Sequence, residues 1–140
     1  MALGETTMTV VGTVVSELTC RTVGNDVDVV SFWVRSNERR KDRDSGEWVD
    51  GRHFSVKVSC WRKLAVSTRL SLKKGDPVIV MGRLHSSDYE SEGKFRSIPE
   101  LEAAAIGPNL TRCTTVVSRT SQVRSLEPSN SPEPLLASVA

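Results

Sequence analysis

The sequence predicts an all-β domain: a five-stranded Greek-key barrel with one short helix between its third and fourth strands, followed by a disordered tail. Three observations carry that prediction. Short runs dense in Val and Thr alternate with turn clusters, as strands do. Only one stretch, Trp61 to Leu72, switches to a helical period. After about Arg112 the composition turns to Ser, Thr, Pro and small residues, which cannot bury enough apolar surface to pack.

The first strand is TTMTVVGTVV, Thr6 to Val15. Gly12 inside it signals a bulge or sharp bend, as at a barrel corner. VGND, Val23 to Asp26, is a turn cluster. The second strand is VDVVSFWVRS, Val27 to Ser36. Its alternation puts Val30, Phe32 and Val34 on a core face and Ser31, Trp33 and Arg35 on the other. A charged stretch, Asn37 to Asp50, follows with the turn signals DSGEW and VDGR, so a long hairpin arm is expected. The third strand runs from Phe54 to Trp61. Val56 and Val58 share one parity, joined by Phe54; Ser55, Lys57 and Ser59 take the other. In the helix, Leu64, Ala65, Thr68 and Leu72 recur on one face, and KKGDP (Lys73 to Pro77) ends it. VIVMGRLHS, Val78 to Ser86, is the fourth strand and has a central Gly82. A second hairpin loop covers 87–93. The last strand spans Phe95 to Ile106, with Pro99 marking an edge or bulge position. Three strands, a helix and two strands is the element order of the OB-fold. The folded domain is placed at 1–112 and the Ser/Thr/Pro-rich tail at 113–140.

Bulk properties exclude several classes. With 140 residues and a formal charge of +2, contact with a polyanion must come from a local patch rather than the global field. No apolar run approaches the roughly 18–20 residues of a membrane span. The first residues, Met1 to Met8, lack the pattern of a signal peptide. A cytoplasmic, nucleoid-associated protein without membrane contact is expected. Cys20, Cys60 and Cys113 are far apart and odd in number, which excludes a full disulfide framework, and no CxxC pair suggests zinc. His53 and His85 have no neighbouring Cys or carboxylate motif for a triad or metal site. DRDSGE, Asp42 to Glu47, lacks the twelve-residue ligand pattern of a calcium loop. No GxxxxGK loop occurs. The chain reads as a non-enzyme with no cofactor, metal or small-molecule substrate.

What remains is an unusual pairing of cations and rings. Arg39, Arg40, Lys41 and Arg43 crowd one arm, interleaved with Glu38, Asp42 and Asp44, and Trp48 and Trp61 lie close by. The interleaving also suits a plain solvated arm. A surface that must meet something both anionic and flat explains the indoles as well. Single-stranded nucleic acid offers a phosphate per nucleotide and bases with two flat faces, so a sequence-blind binder needs cations and stacking rings. Trp33, Trp48, Phe54, Trp61 and Tyr89 are candidates for the faces. Arg35, Arg39, Arg40, Lys41, Arg43, Lys57, Arg62 and Lys63 are candidates for the phosphates.

VVGTV, SFWVRSNERRKDRDSGEWVDG, VKVSCWRKLA, LKKGDPVIVMGRLHSSDYESEGKFR and LEAAAIGPNL stand in this order and spacing. The sequence resembles the bacterial single-stranded DNA-binding proteins from about Thr9 to Leu110. Within them it is most similar to the second, tail-variant paralogue of high-GC Gram-positive bacteria. The resemblance implies an OB-fold, a homotetramer, and sequence-independent binding of single-stranded DNA in replication, repair and recombination. It also implies stacking roles. Tyr89 falls where the family has a tryptophan, and Trp61 where a family aromatic ends the third strand. The family aromatic of the charged arm lands near Arg40. A further family tryptophan is missing near Ser55, with Phe54 beside it. The family's acidic tip, ending in proline and phenylalanine, is replaced by LLASVA, so recruitment of repair proteins through such a tip is not expected. Two rivals stay open: an OB-fold that prefers RNA, and an accessory assembly subunit acting through protein contacts.

Overall fold

The computed structural model describes residues 3–119. It contains β1 (Thr6–Val14), β2 (Thr19–Val23), β3 (Val27–Lys41), β4 (Trp48–Trp61), α1 (Arg62–Ser71), β5 (Pro77–Ser91) and β6 (Lys94–Pro108). The barrel closes through β1–β5–β6–β4–β3 and back to β1, where Thr13 pairs with Arg35 and Val14 with Val34. All ladders are antiparallel except β4–β6, which is parallel through Lys57–Glu100, Val58–Leu101 and Ser59–Glu102. This is the expected OB-fold, with the single helix following the third barrel strand.

One element differs from the expected five strands. β2 pairs with β3 from Thr19–Ser31 to Val23–Val27, along the same β3 edge that β1 reaches further on. The break between β1 and β2 is sealed locally. Val15 N–H donates to the Trp33 carbonyl at 2.9 Å, and the Ser16 hydroxyl accepts from Trp33 N–H at 2.8 Å. β1 and β2 thus act as one interrupted strand beside β3.

The core follows the alternation. Val30, Phe32 and Val34 from β3 meet Val56, Val58 and Cys60 from β4, with Val10, Val14, Val78, Val80, Leu101 and Ala65 completing the cluster. Phe32 is 2 % exposed, and burying such a side chain contributes about 1.5–3 kcal/mol. Cys60 Sγ lies 3.6 Å from the Val30 carbonyl, and burial pushes its thiol pKa up. Two glycines are where backbones must touch. A Cβ on Gly12 would collide with the Arg35 carbonyl at the barrel closure, and one on Gly82 with the Glu102 carbonyl, beside the register shift in β5–β6. α1 buries Ala65 and Thr68, with Leu64 and Leu72 packed at the margin of the core.

Both expected loops are largely ladder. β3 and β4 stay paired out to Lys41–Trp48, so the charged loop shrinks to 42–47. β5 and β6 stay paired out to Ser91–Lys94. Glu92 and Gly93 both have positive φ, 53° and 76°, the signature of a two-residue type I′ hairpin turn. Pro99 pairs with Ser86 at a point where β6 has not yet met β4, so it sits on an edge.

The chain divides into one unit up to Asn109 and a second from Leu110. In the second, the described residues 110–119 hold a turn and no helix or strand. The expectations for the tail beyond residue 119, its disorder and its LLASVA ending, lie outside the described residues. No helix among the described residues is long and apolar enough to cross a membrane.

Candidate nucleic-acid interface

Register decides which side chains can act together. The face of β3 turned away from the Val30, Phe32 and Val34 core carries Ser31, Trp33 and Arg35, opposite Ser59, Lys57 and Ser55 of β4, with Ser31 and Ser59 themselves buried. One step beyond Ser31, Val29 is paired with Trp61, which is 37 % exposed at the end of its strand. In the other direction the face continues into the arm as Asn37–His53, Arg39–Asp50 and Lys41–Trp48. Trp61 and Trp48 therefore mark the two ends of one track, with Trp33 between them about a third of the way from Trp61. From Val29 to Lys41 it is about 40 Å long at ~3.3 Å per residue. Arg35, Lys57, Arg39 and Lys41 lie between and beside the rings, in the alternation of ring and cation that a flexible polyanion with flat bases requires.

Trp48 reaches this face through a bulge. The ladder shifts between Asn37 and Arg39, so Gly51 and Arg52 both oppose Glu38. Arg52 Nε donates to both Glu38 carboxylate oxygens at 3.0 Å, and a Cβ on Gly51 would lie 3.2 Å from Glu38 Cβ. Were the intact strands paired without the bulge, Val49 would face Lys41 and Trp48 would turn to the opposite side.

The cations differ in availability. Arg39 pairs with Asp50 at 3.6 Å, both well exposed, and Arg35 Nε donates to Asn37 Oδ1 at 3.0 Å. Arg40, Lys41, Arg43, Lys57, Arg62 and Lys63 make no ion pair within 4.0 Å among the described residues. Arg62 has φ 59°, a left-handed conformation in which the chain leaves β4 and enters α1 directly. Trp61 has no side-chain cap on that helix, and the first turn holds no acid. The positive helix end thus adds to Arg62 and Lys63 beside Trp61. The turn at the arm tip is held by its own hydrogen bonds: Ser45 Oγ donates to Asp42 at 2.9 Å, which with the Asp44 N–H pulls the Asp42 carboxyl below its ordinary pKa.

Not every candidate joins the track. Phe54 pairs with Ser36, and Arg40 with Val49; both belong to the opposite face of the arm, and Phe54 is 41 % exposed there. Arg43 lies in the tip turn. Tyr89 is on the other hairpin, across from Arg96. Because β4 and β6 run parallel, both hairpins leave the same end of the barrel, and they separate beyond Lys57–Glu100. By register Tyr89 keeps the outward parity of His85 and Arg83, so the second arm leaves the barrel beside the one that carries the track. Glu100 and Glu102, beside Lys57 and Ser59 on β6, form an acidic border on that side, with Glu102 paired to Arg83 at 2.8 Å.

The single-strand binding protein family matches residues 5–108, the barrel and both arms. The chain belongs to that family. A single-stranded DNA-binding protein of Paenarthrobacter aurescens is 42% identical over 118 residues, 84% of this chain and 69% of that protein. The small single-stranded DNA-binding protein of Streptomyces coelicolor superposes with a TM-score of 0.72 at 33% identity, over 79% of this chain and 100% of that one. The second single-stranded DNA-binding protein of Mycobacterium smegmatis gives 0.67 at 34%, over 82% and 99%.

Within this family member, sequence reasoning missed Arg21, Phe95 and Arg96. Arg21 pairs with Val29 on the β3 face shared with Ser31 and Trp33, brought there by the unforeseen β2. Phe95 is 84% exposed at the second hairpin. It follows Gly93 by two positions, the one local signal that a turn ends before it.

Proposed function

We propose that this chain coats single-stranded DNA with little sequence preference, by stacking bases on Trp33, Trp48 and Trp61 while Arg35, Arg39, Lys41, Lys57, Arg62 and Lys63 meet phosphates. The observation that carries this reading is the shared face of the three indoles, held in register by β3 and β4. Tyr89, on the second arm, closes over the strand. Phe54, Arg40 and Arg43 contact strand that crosses to the far side of the first arm. The protein is not an enzyme; it protects exposed strands in the cytoplasm during replication, repair and recombination. Residues 1–112 are the binding domain and 113–140 a tail. It is a counterpart of the second paralogue, in keeping with its likeness to the Mycobacterium smegmatis protein.

The working form is a homotetramer. Val11, Ile79 and Met81 are 51%, 38% and 45% exposed. They are neighbours on the outer face of β1 and β5, away from the track, and such a contiguous apolar patch marks a protein contact. Among the described residues, β1 from Thr6 to Gly12 has a strand on one edge only, leaving the other open to a second copy.

Sedimentation velocity with and without labelled oligo(dT) tests both halves of this reading. A tetramer that carries the oligonucleotide is expected. A monomer that leaves it free contradicts the reading, and a poly(U) preference in competition redirects it to RNA.

A further inference from the structure

A groove of about 300 Å³ opens beside Trp33, at the lower end of the range for small-ligand sites, roughly 300–1,000 Å³. Its floor is Ser31, 9% exposed. Thr19 of β2 lies directly across from Ser31, and Trp33 and Lys57 form one end. Arg21 lies on the β2 side, with Glu17 in the connection that precedes β2.

Glu17 is the anomaly. A carboxylate beside a track for phosphates only repels them. Yet Glu17, Arg21 and Lys57 line the same groove without an ion pair among the described residues. The groove thus offers a stacking ring, one strong acceptor and two strong donors, all unspent. Those are the groups that read a base edge. Guanine presents N1–H and N2–H side by side to a carboxylate, and O6 and N7 to arginine or lysine. Thymine presents one N–H between two carbonyls, which a carboxylate repels.

We propose that this groove is a nucleobase subsite in which Glu17 and Arg21, beside the ring of Trp33, favour guanine over thymine. The proposal rests on the single-stranded DNA reading and deepens it: coating is sequence-tolerant along the track and selective at one position.

The test compares three short oligonucleotides: all dT, the same with one central dG, and the same with one central deoxyinosine, which lacks the N2 amine. Affinities are measured for the full chain and for Glu17→Gln. The dG strand should bind at least about fivefold tighter than the dT strand, the low end of discrimination by one bidentate contact. Deoxyinosine should lose most of that gain, and Glu17→Gln should bring the dG-to-dT ratio to about one. An Arg21→Ala chain should reduce the same ratio. Equal binding of all three strands by the unaltered chain overturns the subsite and leaves the coating function intact. A dG preference that survives Glu17→Gln overturns the role of the carboxylate. Binding of none of the strands overturns both the subsite and the reading it rests on.

Discussion

Truncating Trp33 to alanine removes the ring between the two end indoles of the track. Loss of one stacked base costs about 1–3 kcal/mol, so affinity for oligo(dT) should fall roughly 5–150-fold in a fluorescence anisotropy titration. An unchanged Kd would make Trp33 a packing residue. Its position was legible in the sequence. Val30, Phe32 and Val34 were visibly core by alternation, so Trp33 had to face outward beside Arg35. The groove next to it was not legible. Glu17 and Arg21 lie in a stretch with no buried residue, and with no buried face there was no period to read. Cys60 shows the opposite case: a thiol on the valine parity, which the fold buries completely.

At the scale of the element, the first arm depends on the bulge opposite Glu38. Inserting one alanine between Glu38 and Arg39 fills the short strand and makes the ladder regular. Arg39, Lys41 and Trp48 then turn together to the opposite face, because one residue of register inverts every side chain. Deleting Arg52 also makes the ladder regular but keeps Lys41 and Trp48 where they are. The insertion should therefore weaken oligo(dT) binding about as much as losing one stacked base, at least roughly fivefold. The deletion should change it far less. Equal effects from both would mean that the face of the arm tip does not matter. The arms themselves were read as loops for a physical reason. Both sides of each hairpin beyond the barrel meet water, so residues 37–41 and 48–53 carry no polar/apolar alternation, although they are paired on both sides of the bulge. The helix, by contrast, was readable almost to its ends, since Ala65 and Thr68 face the core one turn apart.

At the scale of the whole molecule, a formal charge of +2 supplies little general attraction for a polyanion. Binding must come from the local track, and it should be steeply sensitive to salt. Each phosphate contact on a single strand contributes about −0.7 to the slope of log K against log salt. Replacing Arg35, Lys41 and Lys57 together with alanine should reduce that slope by about two. A slope that does not move would place the phosphates elsewhere. Barrel closure was foreseeable from Gly12, where β1 meets the Arg35 carbonyl. The outer patch of Val11, Ile79 and Met81 was not, because a Val-rich strand reads as buried on both faces until its neighbours are known.

The most direct test of where the DNA lies is ultraviolet cross-linking of oligo(dT) to the full chain, with the modified peptides identified by mass spectrometry. Adducts are predicted on peptides holding Trp33, Trp48 and Trp61, and on the second hairpin around Tyr89. Adducts confined to the β1–β5 face around Val11 and Met81, with the three indoles untouched, would contradict the account.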